Sequence, residues 1–187
     1  MKTLQRLALG TALVAMAAVM LGSWTRINGA GLTCPDWPLC HGQVVPSLAN
    51  GTIWEWLHRL AACCVTPLVV ALVAVAWRFR NRSAFIAPAA AAIAALFLAQ
   101  VLLGAATVHL ANSPLSVVLH WGTAMAFIAS VCALAVFAGA AVRDDAAPPT
   151  AAPLPWPGLS AILWGTAAVA FVTMCFGAYV SSSGAGL

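Results

Sequence analysis

The chain has 187 residues, of which 63% are hydrophobic and only 6% charged, with a mean hydropathy of +0.98. A water-soluble domain of this length cannot bury that much apolar surface in one core, so the composition excludes a soluble enzyme and implies an integral membrane protein. The formal charge of +4 then speaks of membrane topology and not of nucleic-acid binding.

A window of about 19 residues finds apolar stretches long enough to cross a bilayer at Leu4 to Ser23, Ile53 to Trp77, Ala84 to Val108, Leu115 to Val142 and Pro157 to Val180. The expected fold class is therefore all-α integral membrane, a four-helix transmembrane bundle plus a fifth transmembrane helix. Lys2 and Arg6 precede the first span, Arg78, Arg80 and Arg82 separate the second from the third, and Arg143 follows the fourth. Basic residues favour the cytoplasmic side, which puts the N-terminus inside and the C-terminus outside, in a multi-pass protein of the cell membrane, the bacterial plasma membrane. The cationic start also fits a secretory signal peptide, but an apolar run of about 17 residues leading into Trp24 suits an anchored span better.

The stretch from Gly22 to Cys40, GSWTRINGAGLTCPDWPLC, begins with a pattern that returns at Gly177 to Leu187, GAYVSSSGAGL. The offset of 155 residues superposes Gly22 on Gly177 and Gly29-Ala30-Gly31-Leu32 on Gly184-Ala185-Gly186-Leu187. Four spans separate the copies, so both would insert in the same orientation, as parallel repeats do. The expectation is a protein of two similar halves, of which this chain carries the first (residues 1–142) and the opening helix of the second (157–187). RDDAAPPTAAPLPW at residues 143–156 reads as a flexible cytoplasmic linker between them.

Of the six cysteines, Cys34 and Cys40 lie in the long loop expected on the outer, oxidising face. A short-range disulfide follows from that setting and would contribute about 2 kcal/mol by restraining the unfolded loop. A redox-active dithiol and metal capture with the adjacent His41 are the alternatives. Cys63, Cys64, Cys132 and Cys175 fall within spans, where small apolar packing is expected of them.

Ionisable residues within or beside a membrane are costly and mark sites. Glu55 and His58, in IWEWLHR, stand three residues apart on one face of the second span, with Arg59 next to them, and His120, in SVVLHWG, enters the fourth span at a similar depth. Two imidazoles on alternate helices at one depth can face each other across a bundle. A planar macrocycle with two axial positions answers that arrangement, and haem is such a group, with Arg26 or Arg59 near the surface to pair with its propionates. Bare zinc or copper would call for more ligands. The alternative is that His58 and His120 only hydrogen-bond across the bundle. His109 and His41 read as interfacial residues, and Trp24, Trp37, Trp54, Trp56 and Trp121 as an outer aromatic belt.

Four motifs, TRINGAGLTCPDWPLC at Thr25 to Cys40, EWLHR at Glu55 to Arg59, AQVLLGAATV at Ala99 to Val108 and LHW at Leu119 to Trp121, resemble those of the haem A synthases, membrane enzymes that convert haem O to haem A for the terminal oxidase. The resemblance implies a family fold of two four-helix bundles, each with a histidine pair on its second and fourth helices. It makes His58 and His120 the ligands of haem O as substrate, Glu55 the functional acid, and Cys34 and Cys40 a pair found in part of the family. It also implies a haem b in a C-terminal half that this chain lacks, a haem O synthase as supplier, and electrons delivered from outside the site. The missing half is expected either from truncation or from a homo-oligomer that rebuilds two bundles. Two further function classes are a bis-histidine b-type cytochrome that only carries electrons, which has no need of Glu55, and a membrane thiol oxidoreductase acting through Cys34 and Cys40. The spacing of those cysteines is wider than that of a usual reactive dithiol.

Overall fold

The computed structural model describes residues 1–144 and 158–185. Long runs of Leu, Ala and Val must satisfy every backbone N–H and C=O without help from lipid, and a helix does so within the segment. Among the described residues five helices result: α1 (Lys2–Ile27), α2 (Thr52–Arg78), α3 (Ile86–His109), α4 (Pro114–Asp144) and α5 (Leu159–Ser183). Each is long and apolar enough to cross a membrane. They agree with the five expected spans to within a few residues. The largest extension is at the end of α1, where Ser23 and Thr25 donate their hydroxyls to the Val19 and Leu21 carbonyls, so polar residues continue the helix beyond Ser23. Residues 145–157, which hold nearly all of the expected linker and Pro157, lie outside the described residues.

Among the described residues α1 packs on α2 and α4, and α3 packs on the same two helices, closing a ring in which α2 and α4 occupy opposite corners. Helix α5 lies outside this ring and packs on α4. Gly122 of α4 makes the seat, since a Cβ there would stand 3.5 Å from both Phe171 Cζ and Cys175 Sγ of α5.

The two ends of the ring are built differently. At the arginine end, Leu4 and Ala8 of α1, Val69 and Leu72 of α2, Ile86 and Ile93 of α3, and Val131 and Leu134 of α4 interlock in a solid core. At the opposite end the facing positions are Ala18, Gly22, Ala62, Gly104 and Ala124, too small to fill the space between helices. The bundle is solid at one end and hollow at the other.

The short connection from α2 to α3 lies at the arginine end, where Arg80–Arg82 form a single 3-10 turn and Arg80 lies over the Trp77 ring. The hollow end carries the long loop between α1 and α2 and the tight α3–α4 turn, in which Ala111 and Asn112 both have positive φ. Asn112 Nδ2 donates to the Gly31 carbonyl at 2.8 Å and so ties the turn to the long loop.

Deleting buried atoms at the solid end leaves a void that the rigid ring cannot close. Leu72→Ala, at a fully buried position, should lower stability in detergent by about 2–4 kcal/mol. Val70→Ala, 64% exposed on the outer surface, should change it by less than about 0.5 kcal/mol. Equal losses in thermal unfolding would contradict this placement of the core.

Candidate functional site

The hollow end holds a partly open cavity of about 330 Å³. Its floor is where the core begins, at Phe97 and Phe127, whose ring centroids are 5.8 Å apart. Its walls are the small residues of all four ring helices, and its roof includes Trp37 and Pro38 from the long loop.

His58 on α2 and His120 on α4 enter this cavity from opposite corners of the ring. His58 Nδ1 is 2.8 Å from the Ala18 carbonyl of α1. A carbonyl can only accept, so that nitrogen carries the proton and Nε2 keeps a lone pair free for coordination. His120 Nε2 lies 3.2 Å from Gln100 Nε2 of α3. His120 Nδ1 and Gln100 Oε1 are buried without any hydrogen-bond partner. Flipping the amide exchanges its two atoms but still leaves one ring nitrogen and one amide atom unpaired. Orphaned buried groups of this kind cost stability, and a ligand that engages a ring nitrogen removes part of that cost.

These features fit a haem: two imidazoles on opposite helices, an open lone pair on one, an orphaned nitrogen on the other, and apolar walls between. No group of three or more His, Cys, Asp or Glu that could hold a bare metal ion occurs among the described residues.

The roof is fixed by one ion pair and its neighbours. Glu55 and Arg59 stand one turn apart on α2, and Arg59 Nη2 donates to Glu55 Oε1 at 2.7 Å. The same guanidinium donates to three loop carbonyls, Asp36 at 2.6 Å, Leu39 at 2.5 Å and Cys34 at 3.0 Å. Glu55 Oε2 accepts from the Cys34 N–H at 2.9 Å and lies 3.1 Å from Thr33 Oγ1. A helix presents these two side chains side by side, and together they satisfy loop donors and acceptors that would otherwise be stranded beside the membrane.

Within the loop, Cys34 and Cys40 are joined as a disulfide. Asp36 accepts from the Gly42 and His41 N–H groups, and these bonds, the Gly42 N–H foremost, hold its carboxyl below the usual carboxylate value of 3.8. His41 Nε2 meets the Thr33 carbonyl at 2.8 Å. With both sulfurs in the disulfide, no thiolate remains beside His41 for metal capture.

Glu55, His58, Arg59, Arg26 and His120 all line this one cavity. Arg26 also donates from Nε and Nη2 to Ser181 of α5, and the pair is separated by 155 residues, the offset of the sequence repeat. His109 is exposed and lies away from the cavity. The expectation of small apolar packing does not hold for Cys63, Cys64 and Cys132, because all three are exposed, Cys63 at the border of the cavity. Lipid solvates a thiol as well as a protein interior does, so nothing draws them inward. Sequence reasoning missed Gln100 and the glycines beside the histidines. The signal for Gln100 was its amide at the second position of AQVLLGAATV, within the apolar third span.

The sequence profile of the cytochrome oxidase assembly protein family matches residues 5–187. The chain is 32% identical over 149 residues to the haem A synthase of Bacillus pumilus, covering 76% of this chain and 47% of that protein. It is 31% identical to the haem A synthase of Bacillus licheniformis, covering 71% and 44%. Against the haem A synthase of Symbiobacterium thermophilum the identity is 29%, covering all of this chain and 62% of that one. The chain thus spans about half the length of these curated relatives. No solved structure matches it.

Arg59→Leu leaves the Glu55 carboxylate buried without its cation and three loop carbonyls without their donor. The variant should lose about 3–5 kcal/mol of stability, and the Cys34 amide should exchange hydrogen faster. Unchanged exchange at Cys34 would show that the loop is held by other means.

Proposed function

We propose, because this chain belongs to the cytochrome oxidase assembly protein family, that its four-helix bundle is the substrate half of a haem A synthase. The reaction is the oxidation of a ring methyl of haem O to the formyl of haem A by successive hydroxylations, for a terminal oxidase. The names of the relatives support the reaction, and the cavity with its two histidines supports the substrate. The single observation that carries the reading is His58 with its proton fixed on Nδ1 by Ala18, opposite an orphaned ring nitrogen of His120, in an apolar cavity.

When bound, haem O supplies both the iron centre and the methyl that is oxidised. His58 Nε2 and a ring nitrogen of His120 would hold the iron, and the apolar walls with Trp37 and Pro38 above would limit the access of water. Glu55 is the proton acceptor. The Thr33 hydroxyl lies 2.9 Å from the Ala30 carbonyl as well as 3.1 Å from Glu55 Oε2. It can turn its hydrogen to Ala30, so Oε2 can hold a proton and donate it to Thr33 Oγ1 while Arg59 keeps Oε1. Between the two arginines, Arg26 is the better partner for propionates, since both Nη groups of Arg59 are already engaged by loop carbonyls and Glu55.

In this reading residues 1–142 form the substrate bundle in the cell membrane, with the roof on the outer side, and α5 opens a second unit. A haem b belongs to that second unit. A haem O synthase supplies the substrate, and terminal oxidase assembly consumes the product.

Porphyrin extracted from this protein, purified from cells that also make haem O, should be haem O or an oxidised derivative. His58→Ala and His120→Ala should each lose most of it. Glu55→Gln, which keeps the size of the side chain and its acceptor toward Cys34, should retain haem O but yield no oxidised product. Haem b alone, or loading that survives both histidine changes, would overturn the assignment, and full oxidation by Glu55→Gln would remove the carboxylate from it.

A further inference from the structure

The two histidines rest on matched seats. On α1, a Cβ added at Gly22 would stand 2.8 Å from His58 Cε1, 3.1 Å from Nδ1 and 3.3 Å from Nε2, so the imidazole edge lies directly on the helix backbone. On α3, a Cβ at Gly104 would stand 3.2 Å from His120 Cε1 and 3.8 Å from Nδ1. In both seats the hydrogen-bond partner of the ring is the residue four positions before the glycine, the Ala18 carbonyl under His58 and the Gln100 amide under His120. Residues four apart share a helix face, so glycine and partner form one surface against which the ring lies. Ala18 and Gly22 do this for α2, and Gln100 and Gly104 do it for α4.

We infer that Gly22 and Gly104 are positioning residues for the two imidazoles: each is left without a side chain so that the ring can reach its partner one turn earlier and present its free nitrogen to the cavity. The inference rests on the proposed haem O site. Glycine is a poorer helix former than alanine, and in a membrane helix its lack of a side chain lets another group approach the backbone closely. Gly10 of α1 supplies the contrast, with nothing within 4 Å of the place a Cβ would occupy. At Gly22 the neighbouring atoms belong to a ring whose rotation is fixed by the Ala18 carbonyl, so an added methyl must turn the ring and stretch that bond. At Gly104 the room is a few tenths of an ångström greater and Gln100 is itself a side chain that can follow, so the effect there is smaller.

The test is to titrate ferric haem O into the purified chain in detergent and record affinity together with the optical and low-temperature spin-state spectra. The wild type should show the low-spin signature of two imidazole ligands. Gly22→Ala should bind about 10–100-fold more weakly and pass in large part to a high-spin, singly ligated form, the size of loss typical when a group orienting a metal ligand is removed. Gly104→Ala should move the same way by less, and Gly10→Ala should match the wild type. Helix content and elution volume of the haem-free variants should stay unchanged. Should Gly22→Ala fail to fold, Gly104→Ala decides the matter. A folded glycine variant with wild-type affinity and a full low-spin signature would overturn this inference while leaving the proposed function intact. A wild type without the two-imidazole signature would overturn both.

Discussion

The ion pair between Glu55 and Arg59 is the interaction on which the rest of the site depends. Two charges one turn apart on a helix entering a membrane would be a liability if left alone, because each loses hydration there. Here each completes the other and both reach the loop. The guanidinium takes the carbonyls of Cys34, Asp36 and Leu39, and the carboxylate takes the Cys34 N–H. The Cys34–Cys40 disulfide closes the same segment on itself, and Asp36 gathers the His41 and Gly42 amides within it. A stretch rich in turns is thereby made into a roof that carries Trp37 and Pro38 over the cavity.

The cavity under that roof exists because side-chain volume is unevenly distributed along the helices. Where Leu, Ile and Val face each other the bundle is solid, and where Ala and Gly face each other it is hollow. The division falls near Phe97 and Phe127. Stability is concentrated at one end, which lets the other carry unfilled space and the unpaired atoms of His120 and Gln100. Helix α5, with no buried residue of its own, adds little to this core and touches the ring through α4 and through Arg26.

Much of this was legible in the sequence. The five helices follow from apolar length alone, since lipid allows a spanning segment few other forms. Glu55, His58 and His120 stood out because ionisable groups are rare at such depth. What could not be read was the direction in which Arg59 points. A residue at that position reaches a propionate or a loop carbonyl equally well, and only the folded loop decides between them. Gln100 escaped because an uncharged amide does not stand out as an ionisable group does. Gly22 and Gly104 escaped because small residues are common in membrane helices, and their spacing to Ala18 and Gln100 has meaning only once the imidazoles are placed. The exposed Cys64 and Cys132 mark the opposite error, a burial preference from water-soluble proteins applied where the outside is also apolar.

The central claim is that one haem is held between His58 and His120 beneath the roof that Glu55 and Arg59 secure. A cryo-EM map of the protein in lipid nanodiscs loaded with haem O tests it most directly. The account predicts macrocycle density bridging the two imidazoles, with the loop from Thr33 to Gln43 closed above it and the Arg59 contacts intact. Macrocycle density elsewhere, with His58 and His120 unligated and the cavity empty, would contradict it.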